Sequence, residues 1–194
     1  MSAHSNPETL MLNHSRILAT VAAIAALAFT PLAASAQLPL RVGLGGGISM
    51  PVGDIAKTSD AGINLVASAS FTPARLPVGF EAAATYHNFA PKKGAGGNSF
   101  IMSVTGGVTI PIAGTVGEPY LMGGAGYYNT QGPTTGTTDA ERDFGAYGGI
   151  GIRFRTSKAQ FHVKAAFHEI FAEKNAAGVT RSRELVPLSF TIVL

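Results

Sequence analysis

Residues 99–112, SFIMSVTGGVTIPI, carry the pattern that decides the fold. Large apolar side chains recur at nearly every second position, and small or polar ones stand between them. The large residues are Phe100, Met102, Val104, Val108, Ile110 and Ile112. The intervening residues are Ser103, Thr105, Gly107 and Thr109. Because successive side chains of a β-strand point to opposite faces, this segment predicts a strand with one apolar face and one small, polar face.

The same period of two recurs along the rest of the chain. It predicts eight strands, at about 38–50, 61–71, 76–88, 99–112, 119–129, 143–155, 160–171 and 185–194. The fifth segment, PYLMGGAGYYN, alternates poorly, so the direction in which its side chains face stays open.

The links between the predicted strands alternate in length. Those after strands 1, 3, 5 and 7 are long and polar, at 51–60, 89–98, 130–142 and 172–184. Those after strands 2, 4 and 6 are mostly shorter, at 72–75, 113–118 and 156–159. Long loops on one rim and short turns on the other are typical of outer-membrane barrels. The predicted fold is therefore all-β, an eight-stranded antiparallel up-and-down transmembrane β-barrel.

A cleavable signal peptide is predicted to precede this barrel. Residues 17–29, ILATVAAIAALAF, have the length of a signal-peptide core, and Arg16 supplies the positive flank. Ala34-Ser35-Ala36 is an A-x-A cleavage pattern, so we expect a signal peptide at 1–36 and the barrel domain at 37–194. The alternative is an uncleaved anchor helix, but the apolar run is too short to span a bilayer.

Composition excludes several classes of protein. Charged residues make up only 13% of the chain, and the net charge of +3 is not concentrated in a basic run, which argues against nucleic-acid binding. The absence of cysteine excludes disulfides, thiolate metal sites and lipoprotein acylation. We expect no cofactor and no metal.

Side-chain volume predicts which face of each strand points inward. Eight strands leave an interior just wide enough for side chains, so the bulky apolar face is expected outside, against lipid. The opposite face, rich in Gly, Ser and Thr, fits the lumen. Glu169, near the loop rim of strand 7, is the one charge predicted on the apolar face. The alternative is a soluble periplasmic barrel that encloses an apolar ligand.

The chain resembles the small outer-membrane β-barrel proteins of the OmpA-transmembrane-domain and OmpX type, together with uncharacterised outer-membrane β-barrel domain proteins. The resemblance covers about 37–194 and includes EPYLMGGAGYY at 118–128. It implies export through the Sec pathway, insertion by the barrel assembly machinery, a location in the outer membrane and a monomer. Family members usually end in an aromatic residue, whereas this chain has Leu194 last and Phe190 four residues earlier.

Four charged residues are predicted to form an ion network in the lumen: Arg41, Glu81, Arg153 and Lys164. Glu81 requires a cationic partner, because an unpaired buried carboxylate is strongly unfavourable. The network is either a structural plug or the gate of a narrow pore.

Four more residues lie in or beside the predicted outer loops and are candidate contacts for lipopolysaccharide phosphates: Lys92, Lys93, Arg142 and Arg181. They are equally consistent with ordinary solvated residues. His168 and Glu169 suggest a hydrolase, since an outer-membrane lipid A deacylase carries a Ser-His-Glu set. The serine of that set falls at Ile170 here, so we expect no enzyme.

These observations predict an outer-membrane barrel with a filled lumen and a structural, adhesive or surface-interaction role. Outer-membrane lipids and lipopolysaccharide are the expected partners. A narrow, low-conductance pore is the first alternative, and the soluble ligand-binding barrel is the second.

Overall fold

The computed structural model describes residues 40–93, 97–114, 117–132, 141–157, 159–174 and 180–194. Of residues 172–174 and 180–182 only the backbone is described. The predicted signal peptide, 1–36, lies outside these residues and stays a prediction.

Eight antiparallel strands form a closed barrel in which each strand pairs with its neighbours in sequence. They are β1 (Arg41–Gly53), β2 (Ser59–Phe71), β3 (Gly79–Pro91), β4 (Ser99–Pro111), β5 (Glu118–Gln131), β6 (Glu141–Arg155), β7 (Gln160–Lys174) and β8 (Thr180–Val193). The barrel closes where β1 pairs with β8, for example at Gly43 and Val193. The predicted all-β, eight-stranded fold is confirmed. The described residues include no helix long and apolar enough to cross a membrane.

Two ends of the barrel can be distinguished by their links. We call the end with links 72–78, 112–117 and 156–159 the turn end, and the end with links 54–58, 92–98, 132–140 and 175–179 the loop end. The chain enters β1 and leaves β8 at the turn end. A short 3₁₀ helix, Ile55–Lys57, lies in the first loop-end link.

The predicted strand limits were wrong at both ends. Strands 1 and 3, predicted to start at 38 and 76, begin at Arg41 and Gly79, and at the loop end several strands run further than expected. β3 continues to Pro91, β6 starts at Glu141, and β8 starts at Thr180 rather than at 185.

Part of each predicted long loop is therefore strand. The predicted alternation of long and short links was wrong, because the loop-end link 54–58 is shorter than the turn-end link 72–78. The extensions of β6 and β8 are largely polar, and in that of β3 the bulky residue, Phe89, points inward, so the apolar alternation that marks a strand stops there.

The bulky apolar side chains face outward, as predicted. On β4, Val104 is 63% exposed whereas its neighbours Ser103 and Thr105 are 3% and 7% exposed. The structure also resolves β5: Tyr120 and Tyr128 are buried inside, while Leu121 and Tyr127 face outward. The weak alternation of β5 arises because its inward face carries large tyrosines among glycines.

An arginine placed at the middle of the outward face should destabilise the barrel. Leu65 lies midway along β2 and is 60% exposed, so Leu65→Arg is expected to lower the free energy of unfolding in lipid vesicles by about 2–4 kcal/mol. Leu40→Arg, an outward site at the turn end, is the depth control, with an expected loss of about 0–1 kcal/mol. Urea titration checks both, and equal losses would contradict a lipid-facing band.

Candidate functional site

The barrel interior is the candidate functional site, because the charged residues that the sequence singled out converge on it. In the half nearer the turn end, Lys164 Nζ donates a hydrogen bond to Glu81 Oε1 over 2.7 Å. Their side chains are only 7% and 10% exposed. Glu81 lies on β3 and Lys164 on β7, four strands apart in a ring of eight, so the ion pair bridges the lumen from wall to wall.

The other two predicted network residues do not join this pair. Arg153 lies 3.4 Å from Glu118, its direct neighbour across the β5–β6 ladder, and Arg155 lies 3.2 Å from the same carboxylate. Arg41 Nη1 donates to Gln160 Oε1 over 2.9 Å. The predicted network of four is thus three separate sets of contacts among the described residues, all in the half of the barrel nearer the turn end. Glu118 was missed because it was assigned to a turn rather than to β5.

Three tyrosine rings occupy much of the remaining interior. Tyr120 packs edge-on against His162 and under the guanidinium of Arg153, which lies 5.1 Å from its ring centre. Tyr147 stacks on His168 with 5.1 Å between ring centres, and Tyr128 shares a hydrogen bond of 2.8 Å with the same histidine. The rings narrow the lumen at several heights.

Glycines on nearby strands make room for these rings. A methyl group added at Gly151 would lie 2.3 Å from Cζ of Tyr120, and one at Gly107 would lie 2.4 Å from the hydroxyl of Tyr147. Inward glycines therefore compensate for inward tyrosines, which keeps the total side-chain volume within what eight strands enclose.

An apolar cluster lies inside the barrel towards the loop end, a feature that sequence reasoning missed. Its members lie at inward strand positions or, for one residue, in a link, and all are almost fully buried: Ile55, Phe89, Ile101, Tyr128, Ile170 and Leu185. Ile170, at the position of the deacylase serine, belongs to this cluster. The sequence did contain a signal for this cluster. Ile101 and Ile170 stand at the alternate positions of their strands, the ones that point inward, between apolar residues that point outward.

Charged groups also pair at the loop end. Arg183 Nη1 donates to Asp143 Oδ2 over 2.9 Å, and its second terminal nitrogen contacts Glu141. Both acidic residues lie on β6, and Arg183 lies on β8. This group of ion pairs therefore links β6 to β8 at the loop end. The sequence did not reveal it.

The four candidate outer contacts differ in their availability. Lys92 Nζ donates to the carbonyl of Ala56 and lies 3.9 Å from Asp60. Lys93 is exposed in the following link, and Arg142 is exposed on the outward face of β6. Arg181 lies on β8, but its side chain is outside the described part.

Two interior cavities of small volume remain between these groups. One of about 50 Å³ lies beside the Glu81–Lys164 pair and is also lined by Tyr147 and His168. The other, of about 30 Å³, lies at the turn end beside Arg41 and His162. Within the described residues, no group of histidines and carboxylates is arranged to hold a metal ion.

Residues 19–177 match the outer membrane protein beta-barrel domain family. The chain belongs to this family. The match spans most of the barrel and agrees with its closed antiparallel topology, so the protein is an outer-membrane β-barrel. No curated protein matches the chain in sequence.

Solved structures of small outer-membrane barrels are similar to this chain. Neisserial surface protein A superposes with a TM-score of 0.59 at 11% identity, covering 80% of this chain and 96% of that one. Ail, the attachment invasion locus protein of Yersinia pestis, gives a TM-score of 0.47 at 17% identity over 80% and 97% of the two chains. OprG of Pseudomonas aeruginosa gives 0.47 at 14% identity over 79% and 95%. At these identities, the superposition on the Neisserial protein shows a common fold.

Adjacent glycines on β4 provide a matched test of interior packing. Gly107→Val would drive a side chain into Tyr147 and the facing backbone, whereas a methyl added at Gly106 meets no atom within 4 Å. Overpacking of this kind costs about 1–3 kcal/mol, so Gly107→Val is expected to lower the free energy of unfolding by that amount and Gly106→Val by much less. Unfolding titrations in the same vesicles compare the two. A larger loss for Gly106→Val would mean that the faces of β4 are reversed.

Proposed function

We propose that this protein is a non-conducting structural barrel of the outer membrane that acts through its surface rather than through a pore. The observation that carries the proposal is that side chains cross the lumen at three successive heights. Arg153 and Tyr120 lie nearest the turn end, the Glu81–Lys164 pair lies further in beside Tyr147 but in the same half, and the apolar cluster lies towards the loop end.

Three barriers in series distinguish a plug from a gate. In a gated pore, opening one ion pair would leave a continuous water path. Here, separating Glu81 from Lys164 would leave Tyr120 and the apolar cluster in place. An apolar constriction also excludes ions, even where no charged side chains close it. Eight-stranded walls enclose little more than their own side chains, in contrast to the channels of porins with 16–18 strands.

The cavities argue against the ligand-binding alternative. Sites for small molecules typically enclose about 300–1,000 Å³. The interior cavities of about 50 and 30 Å³ accommodate little more than water or a small ion. Family membership further supports a membrane barrel over a soluble one.

Ion conductance tests the plug against the gate. We expect planar bilayers with the wild-type chain to show no steps above background, and we expect the same from Glu81→Ala, because the other two barriers persist. Glu81→Ala alone would leave the ammonium group of Lys164 buried and unpaired. The double variant Glu81→Ala, Lys164→Met also removes that ammonium group. A heat-modifiable gel shift verifies folding of each variant, and a 16-stranded porin is the positive control. Discrete steps from either folded variant would favour the pore.

The surface role that we propose is contact with lipopolysaccharide phosphates. Arg142 supports it, because this exposed residue lies on the outward face of β6 two positions beyond Phe144, which is itself 53% exposed. Its guanidinium therefore lies where the apolar band ends at the loop end, the height expected for headgroup phosphates. Exposed Lys93 is a second candidate, whereas Lys92 is engaged within the protein.

Thermal unfolding in detergent tests this contact. Purified lipopolysaccharide is expected to raise the unfolding temperature of the wild type, since a ligand that binds the folded state stabilises it. Arg142→Gln should reduce that increase by removing a charge-assisted hydrogen bond to phosphate. Arg75→Gln, an exposed arginine at the turn end, is the matched control and should retain the full increase. An undiminished increase in Arg142→Gln would exclude this contact.

A further inference from the structure

The small cavity at the turn end is lined almost entirely by polar side chains. They come from four strands and the first turn-end link: Arg41, Ser70, Thr72, Arg153, Gln160 and His162. Arg41 and Thr72 are exposed, so the cavity opens at the mouth of the barrel. Gln160, at the start of β7, and His162, two residues further in, are only 5% and 3% exposed. These residues therefore form a polar pocket inside the lumen.

The inner side of this pocket presents hydrogen-bonding groups with no protein partner. Both ring nitrogens of His162, Nε2 of Gln160 and Nε of Arg153 are buried and unpaired among the described residues. Buried polar groups of folded proteins almost always have a partner, and groups that line a pocket obtain theirs from what the pocket binds. The amide of Gln160 is fixed in orientation, because its Oε1 accepts from Arg41 and its Nε2 is left as a donor.

The charge around the pocket is positive. Arg153 and Arg155 share the single carboxylate of Glu118, and Arg41 has the neutral amide of Gln160 as its partner. Two arginines, an amide donor and an imidazole therefore converge on the same small space. A cation would be repelled there, and a neutral sugar would leave the arginine charge uncompensated. An anion with acceptors pointing in several directions satisfies both requirements.

We propose that the turn end of the lumen binds a small oxyanion of the phosphate class. Arg41 and Arg153 supply charge-assisted hydrogen bonds, and Gln160 and His162 donate from the inner wall. A volume of about 30 Å³ admits the oxygen atoms of such an ion at the inner side, while its remainder stays at the open mouth beside Thr72. The site faces the barrel axis and not the lipid, so the ligand is a soluble ion. β1 begins and β8 ends at this rim, which assigns the site to the periplasmic side of an outer-membrane barrel.

Isothermal titration of the full chain in detergent with inorganic phosphate tests the proposal. We expect saturable binding by the wild type at millimolar phosphate, and an affinity lower by about tenfold or more in Arg41→Gln and in Gln160→Leu. Arg41 is exposed, so its replacement leaves the barrel folded, which a heat-modifiable gel shift verifies. Arg153 is left unchanged, because it also packs on Tyr120.

Arg75→Gln is the matched control, since it removes an exposed arginine at the same end that does not line the pocket. Its affinity for phosphate should equal that of the wild type. Equal weakening in Arg75→Gln and Arg41→Gln would show diffuse attraction to a basic rim and overturn the site. Absence of saturable binding by the wild type would overturn it as well, leaving water as the occupant. The outcome does not depend on whether the barrel conducts.

Discussion

The narrowness of an eight-stranded barrel is the constraint on which the rest of the structure depends. A ring of this size encloses only as much space as its inward side chains fill. The bulky half of each alternating strand must therefore face lipid, and the small half must face the axis. Each large inward residue then requires a compensating small one, as Gly151 compensates for Tyr120 and Gly107 for Tyr147. Outward hydrophobicity and inward glycine are two consequences of one limit on volume.

Strand number, and strand facing except in β5, could be predicted from the sequence, because both follow from the local period of two. The barrel was predicted from the link pattern and the family resemblance. The contacts between side chains in the lumen could not be predicted, because they depend on the stagger between strands. Glu81 faces the lumen as its parity requires, yet its contact with Lys164 rather than Arg153 is set by how far β7 is displaced along the axis. The apolar cluster was overlooked for a different reason: Ile101 and Ile170 interrupt the rule that inward positions are small or polar.

The interior combines groups of opposite character along its axis. Arginines line the turn end, and the Glu81–Lys164 ion pair lies just inside it. The loop end carries the ion pairs of Arg183 together with the apolar cluster that includes isoleucine and phenylalanine. If these groups close the lumen, as we propose, the outer wall and the rims are the surfaces left for function in this outer-membrane β-barrel.

Spin-label accessibility along β4 tests the central claim, that the bulky apolar stripe meets lipid, most directly. The chain has no cysteine, so Ser103→Cys, Val104→Cys and Thr105→Cys each carry a single label. We expect the label at 104 to be relaxed by oxygen, which concentrates in the bilayer, and the labels at 103 and 105 to be shielded from it. The opposite phase, with 103 and 105 accessible to oxygen and 104 protected, would contradict the account.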